Sequence, residues 1–307
     1  MQKSNFKAYL AYTAVCILWG TTYVAIRVGV EHVPPFLFAG LRWLISGSIF
    51  FVYLKLTGKK LPTKDEMIHL SVVGISLLGI SNGFLGFAEQ WIPSGLASLI
   101  ITTIPFWVVG MELVLPSGPK LNLLVVAGLL FGLLGVVIIS INDIPLISNT
   151  GYMLGMLSLF IVVVFWAFGS VYSKYKKLSV DPLMGASIQM IIGGLAQTIA
   201  GLSIGEASRF SFDTNSLIAF IYLITVASIV GYGSYIYMIT HLPLSFASTY
   251  AYVNPVIALF LGWFILDEKL NMLIFIGAAV ILGGVIVVKA GVKFQQFRKP
   301  KKTKTSF

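Results

Sequence analysis

Charge is scarce in this chain. Asp and Glu number 11 and Lys and Arg 21, only 10% of 307 residues, whereas a soluble domain carries about a quarter. With 57% hydrophobic residues and a mean hydropathy of +0.93, the surface could not be kept in water, and lipid is the expected solvent. Cysteine is limited to Cys16, which excludes an intrachain disulfide framework and a thiolate zinc site. The three histidines, His32, His69 and His241, are scattered through loops and span ends. No metal cluster and no cofactor are expected. Also lacking is a cluster of His, Asp or Glu at one membrane face. An integral-membrane lipid enzyme, the alternative from another functional class, would need one, so the chain reads as a non-enzyme.

The net charge of +10 could point to nucleic acid, but its position does not. Lys289, Lys293, Arg298, Lys299, Lys301, Lys302 and Lys304 form one tail beyond the last apolar run, as expected of a juxtamembrane cluster facing anionic headgroups. Lys3 and Lys7 followed by apolar residues resemble a signal peptide. The stretch Ala8 to Ile26 is too long for that and no small-residue cleavage site follows, so it reads as a retained first span.

Apolar windows long enough to cross about 30 Å of hydrocarbon recur at about 8–27, 35–54, 67–88, 92–115, 121–141, 150–173, 182–204, 216–239, 244–266 and 271–289. Breakers such as Pro34-Pro35, Asp181-Pro182 and Pro243 separate them. The expected fold is therefore all-α and membrane-integral, with ten spans. With both termini in the cytoplasm, seventeen of the 21 basic residues fall in inside segments, as the positive-inside bias requires. Only Arg27, Arg209 and Lys269 fall outside, and Arg42 lies within span two.

The two halves align. At an offset of 147, Trp19 meets Trp166, Pro35 meets Pro182 and Ala39 meets Ala186; at 150, Pro93, Ala97, Ser98 and Pro105 meet Pro243, Ala247, Ser248 and Pro255. At 149, Gly128 and Gly135 meet Gly277 and Gly284. A unit of five spans is odd, so the second copy, 150–289, would be inverted relative to the first, 1–141, with residues 290–307 as a basic cytoplasmic tail. Inverted repeats are the architecture of secondary transporters. An inert scaffold would also be ten helices, but would not predict polar stripes on particular spans.

The stretch Leu242 to Val288 carries small residues, a mid-span proline, the acidic pair Asp267-Glu268 and a glycine-rich last span. It resembles the EamA-type domain of the drug/metabolite transporter superfamily. LWGTTYVAIR at 18–27, PPFLFAGLRWLISG at 34–47 and AEQWIPSGLASLIITTIPFW at 88–107 repeat that pattern in the first half. The resemblance implies a 5+5 inverted repeat around a central cavity, and export or exchange of small metabolites such as amino acids at the plasma membrane. Asp267-Glu268 aligns with Ser117-Gly118 in the first copy, so any role of the acids would be single-sided.

Candidate lining residues are those that put polar or aromatic groups on one face of a span. Span one offers Trp19, Thr22 and Tyr23, and span six Trp166 and Ser170. Span three offers Asn82 beside Ser81, span four Thr103 and Trp107 beside Thr102, and span eight Tyr232 and Tyr235 beside Ser234 and Tyr237. Span nine carries Thr249, Tyr250, Tyr252 and Asn254. Asn254-Pro255 and Thr103–Pro105 mark places where a proline frees backbone carbonyls, for substrate or for a hinge. Spans five and ten are glycine-rich and read as packing elements or a dimer face, the oligomeric state being open. Trp91 and Trp263 fit an interfacial belt. Arg42 is the costliest charge in the bilayer; it either recognises a substrate carboxylate or pairs with Glu89. Glu112, near the inner end of span four, is expected to snorkel.

Within the superfamily, the small multidrug members bind cations through a Glu on their first span, and span one here has no acid. Nucleotide-sugar and sugar-phosphate members need several cavity cations, where this chain offers Arg42. The expected partners are membrane lipid and a small neutral, zwitterionic or amphipathic solute. Amino acids lead, with drugs, sugars and nucleosides as the alternatives.

Overall fold

In a computed structural model of the chain, residues 3–115, 122–140, 149–176, 178–242 and 250–298 are described. Every element among them is helical, as lipid demands of a backbone that must satisfy its own polar groups. Helices α1 (Lys3–Val30) and α2 (Pro35–Leu56) are continuous. Helix α3 runs through Lys64–Gly74, a π-helical segment Ile75–Ser81, and Asn82–Ala88. Helix α4 joins Ser94–Ile101 to Ile104–Leu113 across Thr102-Thr103. Helices α5 (Leu123–Ser140), α6 (Thr150–Tyr175) and α7 (Pro182–Ser203) follow. Helix α8 comprises Thr214–Tyr222, a second π-helical segment Leu223–Tyr232, and Gly233–His241; α9 is Tyr250–Leu266 and α10 Met272–Arg298.

Seven of these, α1 to α4 and α6 to α8, are long and apolar enough to cross a membrane. The apolar parts of α5, α9 and α10 are shorter, Leu123–Ile138, Val253–Leu266 and Met272–Val288. The expected span of 244–266 overlaps the described helix only from Tyr250; Pro243, Ala247, Ser248 and Thr249 lie outside the described residues, as do Ser117-Gly118 and the tail from Lys299.

Local chemistry sets the helix starts. Pro35 and Pro182 occupy first-turn positions, where a missing N–H does no harm. Thr63 with Glu66, and Asp213 with Ser216, form reciprocal caps. Asn149 accepts from Tyr152 N at 3.1 Å. Helix α4 breaks where the Thr102 and Thr103 hydroxyls turn back onto Leu99 O (2.5 Å) and Ile100 O (2.7 Å), just before Pro105.

Two helix pairs pack most closely, α2 on α7 and α5 on α10; α1 packs on α8 and α9, and α6 on α3 and α4. In the tightest pairs glycine lets backbones touch. A Cβ at Gly40 would lie 2.7 Å from Thr198 N, and one at Gly128 would lie 2.6 Å from Gly284 O. Small residues at crossings are how helices associate where the solvent is as apolar as the side chains. The expected packing role of spans five and ten corresponds to this α5–α10 contact. A Cβ at Gly284 would meet Gly128 O at 2.7 Å and Gly132 N at 2.8 Å, whereas one at neighbouring Gly283 meets nothing within 4 Å. Gly284→Ala should therefore destabilise the protein by about 1–3 kcal/mol. Gly283→Ala should change it by no more than about 0.5 kcal/mol. Thermal unfolding in detergent compares the two.

Candidate functional site

Four rings meet where α1, α6, α8 and α9 converge. Trp19 stands at the centre: its ring centroid is 5.9 Å from Trp166 (edge-on, 84°), 4.9 Å from Tyr235 and 5.3 Å from Tyr250. Gly231, on the π-helical part of α8, lets the indole in, since a Cβ there would lie 2.9 Å from its Nε1. Tyr235 stacks on Tyr232 at 6.0 Å, and Tyr232 meets Trp43 at 5.9 Å. The Tyr232 hydroxyl donates to Gln189 Oε1 at 2.6 Å. Offset and edge-on rings add modest attraction beyond their buried area.

Trp43 links this group to a buried cation. Arg42 Nη2 donates to Asn82 Oδ1 at 2.9 Å, Trp43 Nε1 donates to the same oxygen at 3.3 Å, and the guanidinium lies 4.4 Å from the Trp43 ring centre. Arg42 is 3% exposed, and its Nε has no partner. The expected pair with Glu89 is not formed as an ion pair. The Asn82 amide, placed at the end of the π-helical segment of α3, satisfies the guanidinium without requiring two buried charges in contact.

The remaining candidates are used locally. Thr22, Thr103 and Ser170 donate to carbonyls of their own helices, Trp19 O, Ile100 O and Trp166 O, each at 2.7 Å. Tyr23 is buried in an apolar cluster with Ile26 and Val30. Trp107 packs edge-on against Phe160 at 5.1 Å. With its amide nitrogen turned to them, Asn254 reaches Cys16 O (3.0 Å) and Tyr250 O (3.1 Å) and clamps α9 to α1. Glu112 does not snorkel to solvent: it is 7% exposed and ion-paired with Lys174 of α6, which lets the acid stay buried.

Sequence reasoning passed over Trp43, Gln189 and Gln197. Gln197 Nε2 donates to Leu78 O. The two glutamines stand eight residues apart on α7 among apolar neighbours, a mid-span polarity that could have been noticed. Also missed were the carboxylates that cap distant helices. Glu206 accepts from Leu37 N (2.7 Å) and Phe36 N (3.3 Å) at the start of α2. Glu268 accepts from Ser94 N (2.7 Å), Ser94 Oγ (2.8 Å) and Gly95 N (3.1 Å) at the start of α4. Asp267 beside it takes a left-handed φ of 53°.

The EamA-like transporter family model matches residues 6–141 and again residues 153–290. The chain belongs to the EamA-like transporter family. Members are membrane transporters, and YedA of Escherichia coli K12, named an uncharacterized inner membrane transporter, is 33% identical over 282 residues, 92% of this chain and 90% of its own. The uncharacterized transporter YoaV of Bacillus subtilis is 26% identical over 92% of this chain and 96% of its own. An Escherichia coli K12 protein named "Probable amino-acid metabolite efflux pump" is 27% identical over 92% of this chain and 94% of its own. A solved crystal structure superposes with a TM-score of 0.67 at 22% identity, covering 93% of this chain and 98% of that one, which shows a shared fold.

In this EamA-like chain the Arg42–Asn82 contact can be isolated. Asn82→Leu strands the guanidinium and the Trp43 N–H and should cost about 1–3 kcal/mol. The double variant Arg42→Met/Asn82→Leu should lose less than the two single losses added. Thermal unfolding of the four proteins in detergent, treated as a double-mutant cycle, measures the difference.

Proposed function

We propose that this protein is a secondary transporter of small neutral, zwitterionic or amphipathic metabolites, amino acids first among them, exported across the plasma membrane by alternating access. The observation that carries the reading is the Trp19–Trp166 contact: the two tryptophans equivalent under the sequence repeat meet at 5.9 Å, with Tyr235 and Tyr250 beside them. A site at the contact between two halves is what rocking one half against the other would expose to alternate sides.

Ten crossing spans arranged as a 5+5 inverted repeat, residues 1–141 and 150–289, accord with further features. The family model matches twice. Advancing each helix by five turns α1–α8 into α6–α3 and α1–α9 into α6–α4, and returns α2–α7 and α5–α10 to themselves, all of them packed pairs. Both π-helical segments fall at equivalent places, in α3 and α8. The basic residues favour cytoplasmic termini, with 290–307 as a basic tail. The name of the amino-acid efflux relative favours that substrate class.

Within this reading Trp19, Trp166, Tyr232, Tyr235 and Tyr250 hold the solute, with Thr22, Tyr23, Thr103, Trp107, Ser170 and Asn254 shaping the surrounding path. Arg42, held by Asn82, meets a substrate carboxylate. Purified protein in liposomes should take up labelled amino acids saturably. Trp19→Ala should reduce that uptake at least tenfold, and Arg42→Ala should raise the KM for carboxylate-bearing solutes. Uptake of sugars or nucleosides but of no amino acid would replace the substrate class. Undiminished uptake by Trp19→Ala would move the path elsewhere.

A further inference from the structure

Of the acids among the described residues, those inside the fold are in use, with one exception. Glu66 accepts from Ser179 N and Val180 N, Asp181 pairs with Lys59, Glu112 pairs with Lys174, and Asp213, Glu206 and Glu268 cap helices. Glu31, Asp65 and Asp267 are exposed. Glu89, just past the end of α3, is 0% exposed, and neither of its carboxyl oxygens has a partner.

Its surroundings are charged but not in contact with its carboxyl group. From α1 come Tyr23 and Arg27, the latter donating to the Glu89 backbone carbonyl rather than to the carboxyl. Arg42 comes from α2 and is engaged by Asn82. The connection between α9 and α10 brings Glu268, itself held on the start of α4. Helix α6 contributes Gly155, against Ala88 O, and Tyr152, in the same apolar cluster as Ala88 and Ile92. Burial, helped by the Glu268 carboxylate and opposed by Arg27 and Arg42, holds the Glu89 carboxyl well above the ordinary carboxylate range. An ionised carboxylate there would be stranded without a hydrogen bond, so burial and the missing partners both favour the neutral form.

A neutral acid with no hydrogen bond contributes less to a fold than an apolar side chain of the same size. It makes physical sense as one state of two. We propose that Glu89 is a proton-binding site of the transport cycle, holding a proton while the outer helix ends are closed around it. When those ends part, the carboxyl exchanges its proton with the water outside, and in its ionised form it pairs with Arg27 or Arg42. The inference rests on the transport reading above and deepens it by naming the coupling ion. The π-helical segment Ile75–Ser81, lower on the same helix, is a place where α3 can change register and re-aim its outer end.

Two measurements decide it. The first needs no substrate: infrared difference spectra of the protein in lipid, titrated from acid to alkaline pH. A neutral-carboxyl carbonyl stretch should persist at neutral pH and vanish on alkalinisation. The part that persists at neutral pH should be absent from Glu89→Gln, in which the other carboxyls contribute only at acid pH, and should return, shifted, in Glu89→Asp. No such band, or an identical band in Glu89→Gln, overturns the proposal. The second imposes a gradient of one pH unit on liposomes and follows labelled amino acids. Wild type should accumulate them uphill, up to about tenfold for one proton per solute, and Glu89→Gln should not exceed equilibrium. Uphill accumulation by Glu89→Gln, or none by wild type that does move the solute downhill, also overturns it. If no amino acid moves at all, the substrate class of the transport reading fails, and the infrared band alone decides Glu89.

Discussion

Glu268 reaches from the connection between α9 and α10 to three donors at the start of α4, and Glu206 reaches from beyond α7 to two at the start of α2. A helix start has unsatisfied N–H groups and a positive dipole end, and in a membrane protein water cannot always reach them. Here carboxylates from the second half of the chain answer helices of the first. At the other end of the bundle Glu66 accepts from Ser179 N and Val180 N, and Lys59 pairs with Asp181, which itself caps α7. These links hold the helix ends in register, and the crossings between them follow from glycine. With α2 seated on α7 and α5 on α10 at backbone contact, α1 and α6 are left to meet across the middle, where Trp19 and Trp166 touch.

The aromatic group and the buried cation form one connected structure. Trp43 is the joint: its ring carries the Arg42 guanidinium, its N–H shares the Asn82 oxygen, and its other side meets Tyr232. Both π-helical segments end on this structure, Ile75–Ser81 immediately before Asn82 and Leu223–Tyr232 at Tyr232 itself. A π-helical turn widens the helix and re-aims the side chains beyond it. A solute binding against the rings would thus be felt at Arg42 and in the two helices best able to change register. Glu89 stands at the far end of one of them.

Much of this was legible beforehand. Scarce charge and repeated apolar runs make a polytopic helical protein the sole economical reading, and the paired Trp19 and Trp166 single out the helices that meet at the centre. Tyr232, Tyr235 and Tyr250 were legible as aromatic faces of apolar helices. Hydroxyl residues were less informative. Thr22, Thr103 and Ser170 have the composition of a polar stripe, yet their oxygens bond carbonyls one turn back, an option every Ser and Thr in a helix has. Trp107, beyond the break at Thr102-Thr103, packs against Phe160, a neighbour that spacing along α4 does not reveal.

The sequence alone determined the solvent, the helical class, the family and the internal likeness of the halves, because each depends on local composition or on residues compared in order. Tertiary structure decided which polar groups find one another. Whether Arg42 meets Glu89 or Asn82, whether Glu112 reaches solvent or Lys174, and whether Glu89 is satisfied at all depend on helix rotations set by glycine crossings and π-helical turns. A rotation of one residue position moves a side chain about 100° around its helix, and linear spacing does not record it.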